Sequence, residues 1–406
     1  MFPEFPDVYC LRCEQPIDRP FNPCPKCLTQ DGVSVNGDTA ITLPSTVSGT
    51  AELAAAVLPP RMEARPPTPL TPLERFSADI GVRVSVKDER LNPSLSYKDR
   101  LAEVAAVRAR QAGADTLVVA SSGNHGAAVS RAATAIGLRA VVVTMTSIAP
   151  AMRRLITGCG GQLIAVATAE DRWRLVQAGV EELGWFPAGN FHNPPIGSSP
   201  YLVDGYQPIA WEIADQSGAL PDWVAVPVGY GDGLSGIAKG FRTLAAAGLT
   251  TRLPRMLAVE TTGTLVEALR TGTDQPRAAA VQAPSALSIA CPQGTYQALH
   301  AVRASAGHAV TVTDQEALQA REALGRLAGA HHELSSAAAF AGVRRAVQDG
   351  LVDPADSVVV VGTSVGLKDQ ILPGEDDAPL EPLPGPLLDD LCAGRTGMEA
   401  VMRAAG

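Results

Sequence analysis

The chain has 406 residues, 33 Lys plus Arg against 42 Asp plus Glu, and a formal net charge of −9. Its length allows about two to four domains, and 46% apolar residues supply a large core, which excludes global disorder. A mildly acidic chain without a basic block is not built for nucleic acid, no apolar run reaches the ~18 residues of a membrane span, and the N-terminus has no signal-peptide pattern, so a cytoplasmic protein is expected.

Residues 1–35 form the first unit. Cys10-Leu-Arg-Cys13 and Cys24-Pro-Lys-Cys27 lie ten residues apart and hold four of the seven cysteines. Each Cys-x-x-Cys can turn both sulfurs toward one tetrahedral ion, so Cys10, Cys13, Cys24 and Cys27 are candidate ligands of a structural zinc ribbon. Four thiolates leave no open coordination position, which argues against a catalytic zinc. Residues 36–72 are transitional. Their prolines, in Leu58-Pro-Pro and Arg65-Pro-Pro-Thr-Pro-Leu-Thr-Pro72, cannot lie inside a helix and predict an extended surface segment.

From residue 80 on, short apolar runs alternate with Ala-rich helical stretches. The predicted strands are Thr116–Ala120, Ala140–Thr144, Leu163–Val166, Trp223–Val228, Met256–Glu260 and Ser357–Gly362. Their continuous apolarity suits parallel strands buried on both faces. Helices over Ala102–Ala112, Ala127–Ala135, Asp171–Leu183 and Asp314–Leu327 supply the crossovers, giving an α/β chain with more than one sheet. The tail from Leu372 is acidic and Pro-rich, either a wrapping arm or partly disordered.

Ligands of parallel sheets bind beyond the strands' carboxyl ends. Three small, polar loops stand there: Ser121-Ser-Gly-Asn-His-Gly126, Gly229-Tyr-Gly-Asp-Gly-Leu-Ser-Gly236 and Gly362-Thr-Ser-Val-Gly366. Such loops aim backbone N–H groups at an anion. The second contains G-x-G-x-x-G, and Glu260 closes the next strand, where a dinucleotide site places its ribose acid. Alone, that pattern supports a nicotinamide-dependent dehydrogenase. The same loop also serves a single phosphate at a helix start.

The remaining signal is Leu91-Asn-Pro-Ser-Leu-Ser-Tyr-Lys-Asp-Arg100, a lysine among small polar residues just before a helix. This segment resembles the Asn-Pro-Thr-Gly-Ser-Phe-Lys-Asp-Arg of the threonine synthase family of fold-type II pyridoxal-phosphate enzymes. Thr68-Pro-Leu70, Ser121–Gly126, Glu333-Leu-Ser-Ser-Ala-Ala338 and Thr363-Ser-Val-Gly-Leu-Lys-Asp369 resemble further motifs of that family, in the same order. The resemblance implies a two-domain fold-type II architecture closing over the cofactor, and a homodimer. The large domain would combine 36–104 with 216–374 and the small domain would span 105–215, leaving 375–406 as a C-terminal arm or tail.

It also implies roles. Lys98 would carry pyridoxal 5'-phosphate as a Schiff base and then take the substrate's Cα proton, which requires a free amine. Asn124 would bond the cofactor's O3′, or cap its helix. Ser121, Ser122 and the N–H groups of Gly123 to His125 would hold the carboxylate of a small amino-acid substrate. His125 could shuttle protons or simply pack. Gly229, Tyr230, Gly231, Asp232 and Gly233 would cradle the cofactor phosphate, with Asp232 turned outward or capping the helix, since a carboxylate repels phosphate. Thr363, backed by Ser364, would meet the pyridine nitrogen. A hydroxyl leaves the ring unprotonated, which suits β-elimination or β-replacement better than transamination. Glu333 is either a site residue or a structural acid.

Two departures bear on the substrate. The family's phosphate-binding arginine falls on Leu202, within Pro200-Tyr-Leu-Val-Asp-Gly-Tyr-Gln-Pro208, and leucine cannot pair a phosphate. Ser-Ser-Gly-Asn-His-Gly also resembles the loop of serine and threonine dehydratases. The expected activity is therefore a lyase-type β-elimination or replacement on an amino acid. The alternative is a true threonine synthase acting on O-phosphohomoserine, with Arg153 or Arg154 compensating for Leu202.

Overall fold

A computed structural model describes residues 5–59, 66–280, 286–369 and 382–405. Its strands are β1 (Val8–Cys10), β2 (Gly37–Thr39), β3 (Leu70–Pro72), β4 (Arg83–Asp88), β5 (Thr116–Ala120), β6 (Arg139–Met145), β7 (Gly161–Val166), β8 (Phe186–Pro187), β9 (Trp223–Pro227), β10 (Arg255–Glu260), β11 (His308–Thr311) and β12 (Ser357–Gly362). They form three sheets. One has six strands in the order β11-β10-β9-β12-β4-β3, with only β3 antiparallel; one has four parallel strands in the order β7-β6-β5-β8; β1 and β2 make a small antiparallel pair.

The apolar runs are buried on both faces, as the alternation of side chains requires. In β12, Val359 and Val361 enter one core beside Phe241 of the helix Asp232–Ala246. Val358 and Val360 enter the opposite core beside Phe340 of the helix Leu334–Gln348. In β5, Leu117 and Val119 face the first of these cores and Val118 faces a third. The first core thus runs through both larger sheets. The helix Lys98–Gln111 joins them through buried Leu101, Ala102, Val104 and Ala105.

Several elements differ from expectation. The helix Thr50–Val57 interrupts the segment expected to be extended, burying Leu53 and Val57 between flanking breakers. Strand β4 lies beside β12, yet Arg83-Val-Ser-Val-Lys-Asp88 carries charges and so escapes an apolar-run criterion. The helix Gln207–Ser217 leaves the four-stranded sheet for the Asp232–Ala246 helix; Trp211 Nε1 donates to the Gly240 carbonyl at 3.1 Å. The described part of the C-terminal segment is a helical arm. Gly385–Cys392 and Met398–Ala405 bury Leu388, Leu391, Met398 and Val401 against the core of the four-stranded sheet. Residues 370–381, the start of the expected tail, lie outside the described residues. Among the described residues, no helix is long and apolar enough to cross a membrane.

Candidate active site

The three polar loops follow the carboxyl ends of β5, β9 and β12. Lys98 is brought to them by the loop Asn92–Tyr97. The Tyr97 N–H donates to the Thr363 carbonyl at 2.9 Å, the Val365 N–H to the Leu95 carbonyl at 3.3 Å, and Ser96 bridges Ser364. Leu95 takes a positive φ of 61° to make this turn. Within the first turn of the helix, Arg100 is 1% exposed and pairs with buried Glu89 at 2.7 Å and also with Glu212. Thr68 donates to Glu89 at 2.6 Å, and Lys87 pairs with Glu212 at 2.6 Å. Burial would raise the Glu89 carboxyl, but Arg100, Thr68 and Asn92 outweigh it and hold it at about 2. Thr68 and Arg100, both in the motifs read from sequence, therefore brace the lysine loop.

The Lys98 ammonium lies 5.1 Å from the Tyr97 ring centroid and 5.8 Å from that of Tyr206. It makes no ion pair among the described residues. The Tyr206 hydroxyl is buried without a partner. Asn124 reaches this group from the other sheet. Its Nδ2 donates to Glu333 at 2.5 Å, while its Oδ1 accepts from Lys368 at 2.7 Å and Ser364 at 3.4 Å. Gly123 is the N-cap, so Asn124 does not cap its helix. Glu333 also accepts from Ser288 at 2.6 Å, so this acid sits within the cluster. Lys368 also donates to the Ser94 carbonyl at 2.6 Å, and burial pushes it down to about 8.

Other assignments change in detail. Ser121 Oγ accepts from the N–H groups of Gly123 and Gly126, at 3.2 and 3.1 Å. Ser122 Oγ accepts from Thr144 at 3.0 Å. Both hydroxyls thus stabilise the loop, and so does the Gly123 N–H. Among the described residues the N–H groups of Asn124 and His125 meet no acceptor across the loop. His125 is held neutral, at about 3, first by burial and then by the Lys98 charge; its Nε2 is enclosed and unpaired. Ser364 is spent on Leu95 and Asn124 and does not back up Thr363. The Thr363 hydroxyl, in a residue 5% exposed, has no hydrogen bond among the described residues.

The Gly229–Gly233 loop opens the helix Asp232–Ala246, and none of its five N–H groups donates to another described residue. Gly231 takes φ +83°, and a Cβ there would stand 2.3 Å from the Ala298 Cβ. A Cβ on Gly233 would meet the Tyr97 ring at 2.5 Å. Asp232 points neither outward nor into a cap. Its carboxylate is buried and accepts from the Ser198 N–H at 2.8 Å, the Ser198 hydroxyl at 2.7 Å and Gln297 at 2.6 Å. With its charge so occupied, it can stand beside an anion site. Asn36 extends this chain to the N-terminal unit, donating to the Ser198 carbonyl at 2.6 Å and to Gln297 at 3.3 Å.

Glu260 accepts from the N–H groups of Leu265 and Val266 at 2.9 and 3.0 Å, and so caps the next helix. It is not free for a ribose, which removes the support for a dehydrogenase. Leu202 is fully buried, as its type requires. Ser198, Gln297 and Ser288 carried no sequence signal; Tyr97, Tyr206 and Lys368 stood unremarked inside quoted segments.

Away from this site, the sulfurs of Cys10, Cys13, Cys24 and Cys27 lie within 4.8 Å of one another. The pairs Cys10–Cys27 and Cys13–Cys24 are each 3.7 Å apart, too long for a disulfide. Strand β2, just past residue 35, completes the unit by pairing with β1.

Comparison with known proteins agrees with this arrangement. The family model described as "Pyridoxal-phosphate dependent enzyme" matches residues 62–364. A threonine synthase of Methanosarcina acetivorans is 31% identical over 315 residues, 74% of this chain and 75% of that protein. One from Halalkalibacterium halodurans is 30% identical over 331 residues, 78% of this chain and 90% of its own. Among solved structures, maize serine racemase aligns with a TM-score of 0.64 at 20% identity, covering 75% of this chain and 92% of its own. A threonine deaminase from Solanum lycopersicum also aligns at 0.64, with 19% identity, covering 80% and 88%. The chain belongs to the pyridoxal-phosphate-dependent enzymes of fold type II, in the threonine synthase family.

Proposed function

We propose that this enzyme carries out β-elimination or β-replacement on an amino acid, with Lys98 as its Schiff-base lysine and Cα base. The convergence of Lys98, Asn124 and Thr363 from three separate segments carries the reading. The residues suit the cofactor: an amine without an acidic partner, an unbonded hydroxyl on the buried residue Thr363, and a glycine loop of unengaged N–H groups at a helix start. Bound pyridoxal phosphate supplies an aldehyde for amines and an electron-withdrawing ring that weakens bonds to the substrate's Cα.

The chain's own residues do the rest. The N–H groups of Gly229 to Gly233 hold the phosphate, aided by the positive end of the helix. Thr363 would meet the ring nitrogen with a hydroxyl, which would not force a proton onto it. Asn124 donates to the ring oxygen once it turns from Glu333, and Lys368 fixes its other end. The N–H groups of Asn124 and His125 receive the substrate carboxylate. Neutral His125 adds no charge there. Lys98 takes the Cα proton beside the rings of Tyr97 and Tyr206, which cover one side of the amine.

A threonine synthase acting on O-phosphohomoserine is the second reading, favoured by relatives of that name at about 30% identity. Leu202 weighs against it. Cys10, Cys13, Cys24 and Cys27 hold a structural zinc in this reading. Zinc–sulfur bonds of about 2.3 Å in a tetrahedron put sulfurs about 3.8 Å apart, close to the 3.7 Å of both pairs.

The test is an amino-acid screen with the cofactor-loaded enzyme, followed by visible spectra and product analysis. Elimination or replacement products are expected, with Lys98→Ala losing both turnover and borohydride-sensitive absorbance. Threonine and phosphate from O-phosphohomoserine would select the second reading. Intact absorbance in Lys98→Ala would reject the role of the lysine.

A further inference from the structure

A buried polar chain ends on the backbone of Thr363. The Thr363 N–H donates to Ser336 Oγ at 2.9 Å, and that oxygen lies 3.2 Å from His332 Nδ1. Ser336 and His332 are both fully buried. His332 stands just before the helix Leu334–Gln348, and Ser336 lies in its first turn. The His332 ring is closely surrounded: the Phe340 ring centroid is 5.1 Å away, and a Cβ on Gly362 would stand 2.6 Å from the His332 Cε1. Its Nε2 is enclosed and has no partner among the described residues. Burial, and then the Arg90 charge, holds the imidazole neutral, at about 3.

A neutral imidazole carries one N–H, and a serine hydroxyl has one proton and two lone pairs. A proton on Nδ1 would go to Ser336 Oγ, and the serine proton and Nε2 would then both lack partners among the described residues. With the proton on Nε2, the serine hydroxyl donates to Nδ1 and only the Nε2–H stays unpaired. The second arrangement leaves fewer buried groups unpaired and so assigns the tautomer. It turns the serine proton to His332 and an Oγ lone pair to the Thr363 N–H. The other end of residue 363 is tied as well, because its carbonyl accepts from the Tyr97 N–H at 2.9 Å. With both peptide groups held, the side chain keeps only χ1, which is restricted in a β-branched residue.

We infer that His332 and Ser336 are positioning residues, which act through the Thr363 N–H to aim the Thr363 hydroxyl at the cofactor's ring nitrogen. The inference rests on Thr363 as the partner of that nitrogen and extends the site to two residues sealed in the core. Without His332, the Ser336 hydroxyl is free to rotate and bond a carbonyl of the preceding turn, as serine does within helices. Thr363 then loses the acceptor that fixes its N–H.

The test measures the affinity of the full chain for pyridoxal 5'-phosphate and for its deaza analogue, in which a C–H replaces the ring nitrogen. Both compounds carry the aldehyde and the phosphate, so their affinity ratio reports the ring-nitrogen contact and cancels any general weakening of the site. Wild type should prefer the natural cofactor by about 3- to 10-fold, the worth of one hydrogen bond. Thr363→Val should bring the ratio to one. Ser336→Ala and His332→Leu should bring it close to one, while His332→Asn, whose Oδ1 can accept in place of Nδ1, should keep most of it. In the Thr363→Val background, Ser336→Ala should change the ratio no further. Thermal unfolding identifies folded variants; if His332→Leu does not fold, Ser336→Ala and His332→Asn decide. A wild-type ratio in folded Ser336→Ala or His332→Leu, with Thr363→Val at one, would overturn the inference and leave Thr363 in its role. A ratio in His332→Asn as low as in Ser336→Ala would reduce His332 to packing and overturn its part. No preference in wild type, or an unchanged one in Thr363→Val, would remove Thr363 from the ring nitrogen and the inference with it.

Discussion

Gly231→Ala isolates what the glycine loop contributes. Two costs follow from the structure. At φ +83° an L side chain meets its own backbone, a penalty of about 1–2 kcal/mol. The added Cβ would also stand 2.3 Å from the Ala298 Cβ, where carbon atoms prefer about 3.5–4.0 Å. Relief requires the loop or the helix Tyr296–Ala304 to move by more than an ångström, at an overpacking cost of about 1–3 kcal/mol. The sum is about 2–5 kcal/mol. Moving the loop also pulls the Tyr230 carbonyl from Thr295, which donates to it at 2.7 Å. Urea unfolding reads the stability, and cofactor titration reads the loop. Gly184→Ala is the control, since Gly184 has φ +64° with nothing within 4 Å of an added Cβ, and should cost only the backbone part. Ala298→Gly in the Gly231→Ala background should return part of the packing cost, since the Ala298 Cα still stands 3.0 Å from the added Cβ and glycine costs the helix about 0.5–1 kcal/mol. If Gly231→Ala matches Gly184→Ala in stability and keeps wild-type cofactor affinity, the loop is not clamped as described.

Two further outcomes follow. Glu89 has its folded carboxyl held below the ordinary value of 4.5, so its stabilisation is full above that value and fades as pH falls toward about 2. Glu89→Gln should flatten the acid dependence of unfolding over that window and lower stability at pH 7 by about 3–5 kcal/mol, because Arg100 loses a buried partner; an unchanged acid slope would contradict this. Metal analysis should find one zinc per chain in wild type and none in Cys24→Ser. The same variant should unfold earlier and bind cofactor more weakly, because Asn36 links that unit to Asp232; cofactor affinity equal to wild type would show the link to be inert.

The parts of the site that the sequence made visible are those with local rules. Lys98, Asn124 and Thr363 stand in small polar loops at strand ends, where chain order alone suggests ligand contact. The valines of β12 announce a strand because both its faces are buried. What stayed hidden depends on packing between distant segments. The environment of Tyr206 is set by Tyr97, 109 positions earlier, and Trp173 meets Tyr230 only because its helix leans over the glycine loop. Strand β4 was hidden by Lys87, whose charge is answered by Glu212. Asp232 looked misplaced beside an anion site because its donors, Ser198 and Gln297, lie 34 and 65 positions away.

That last arrangement also bears on the order of synthesis. The third donor to the Asp232 carboxylate is Gln297, which Asn36 in turn meets across an interval of 261 residues. A ribosome-bound chain ending before Gln297 could form β9 and the helix after it, with the carboxylate held by the two Ser198 donors alone. The glycine loop of such a fragment would be less firmly set. Its full bracing comes only when these distant segments are both in place.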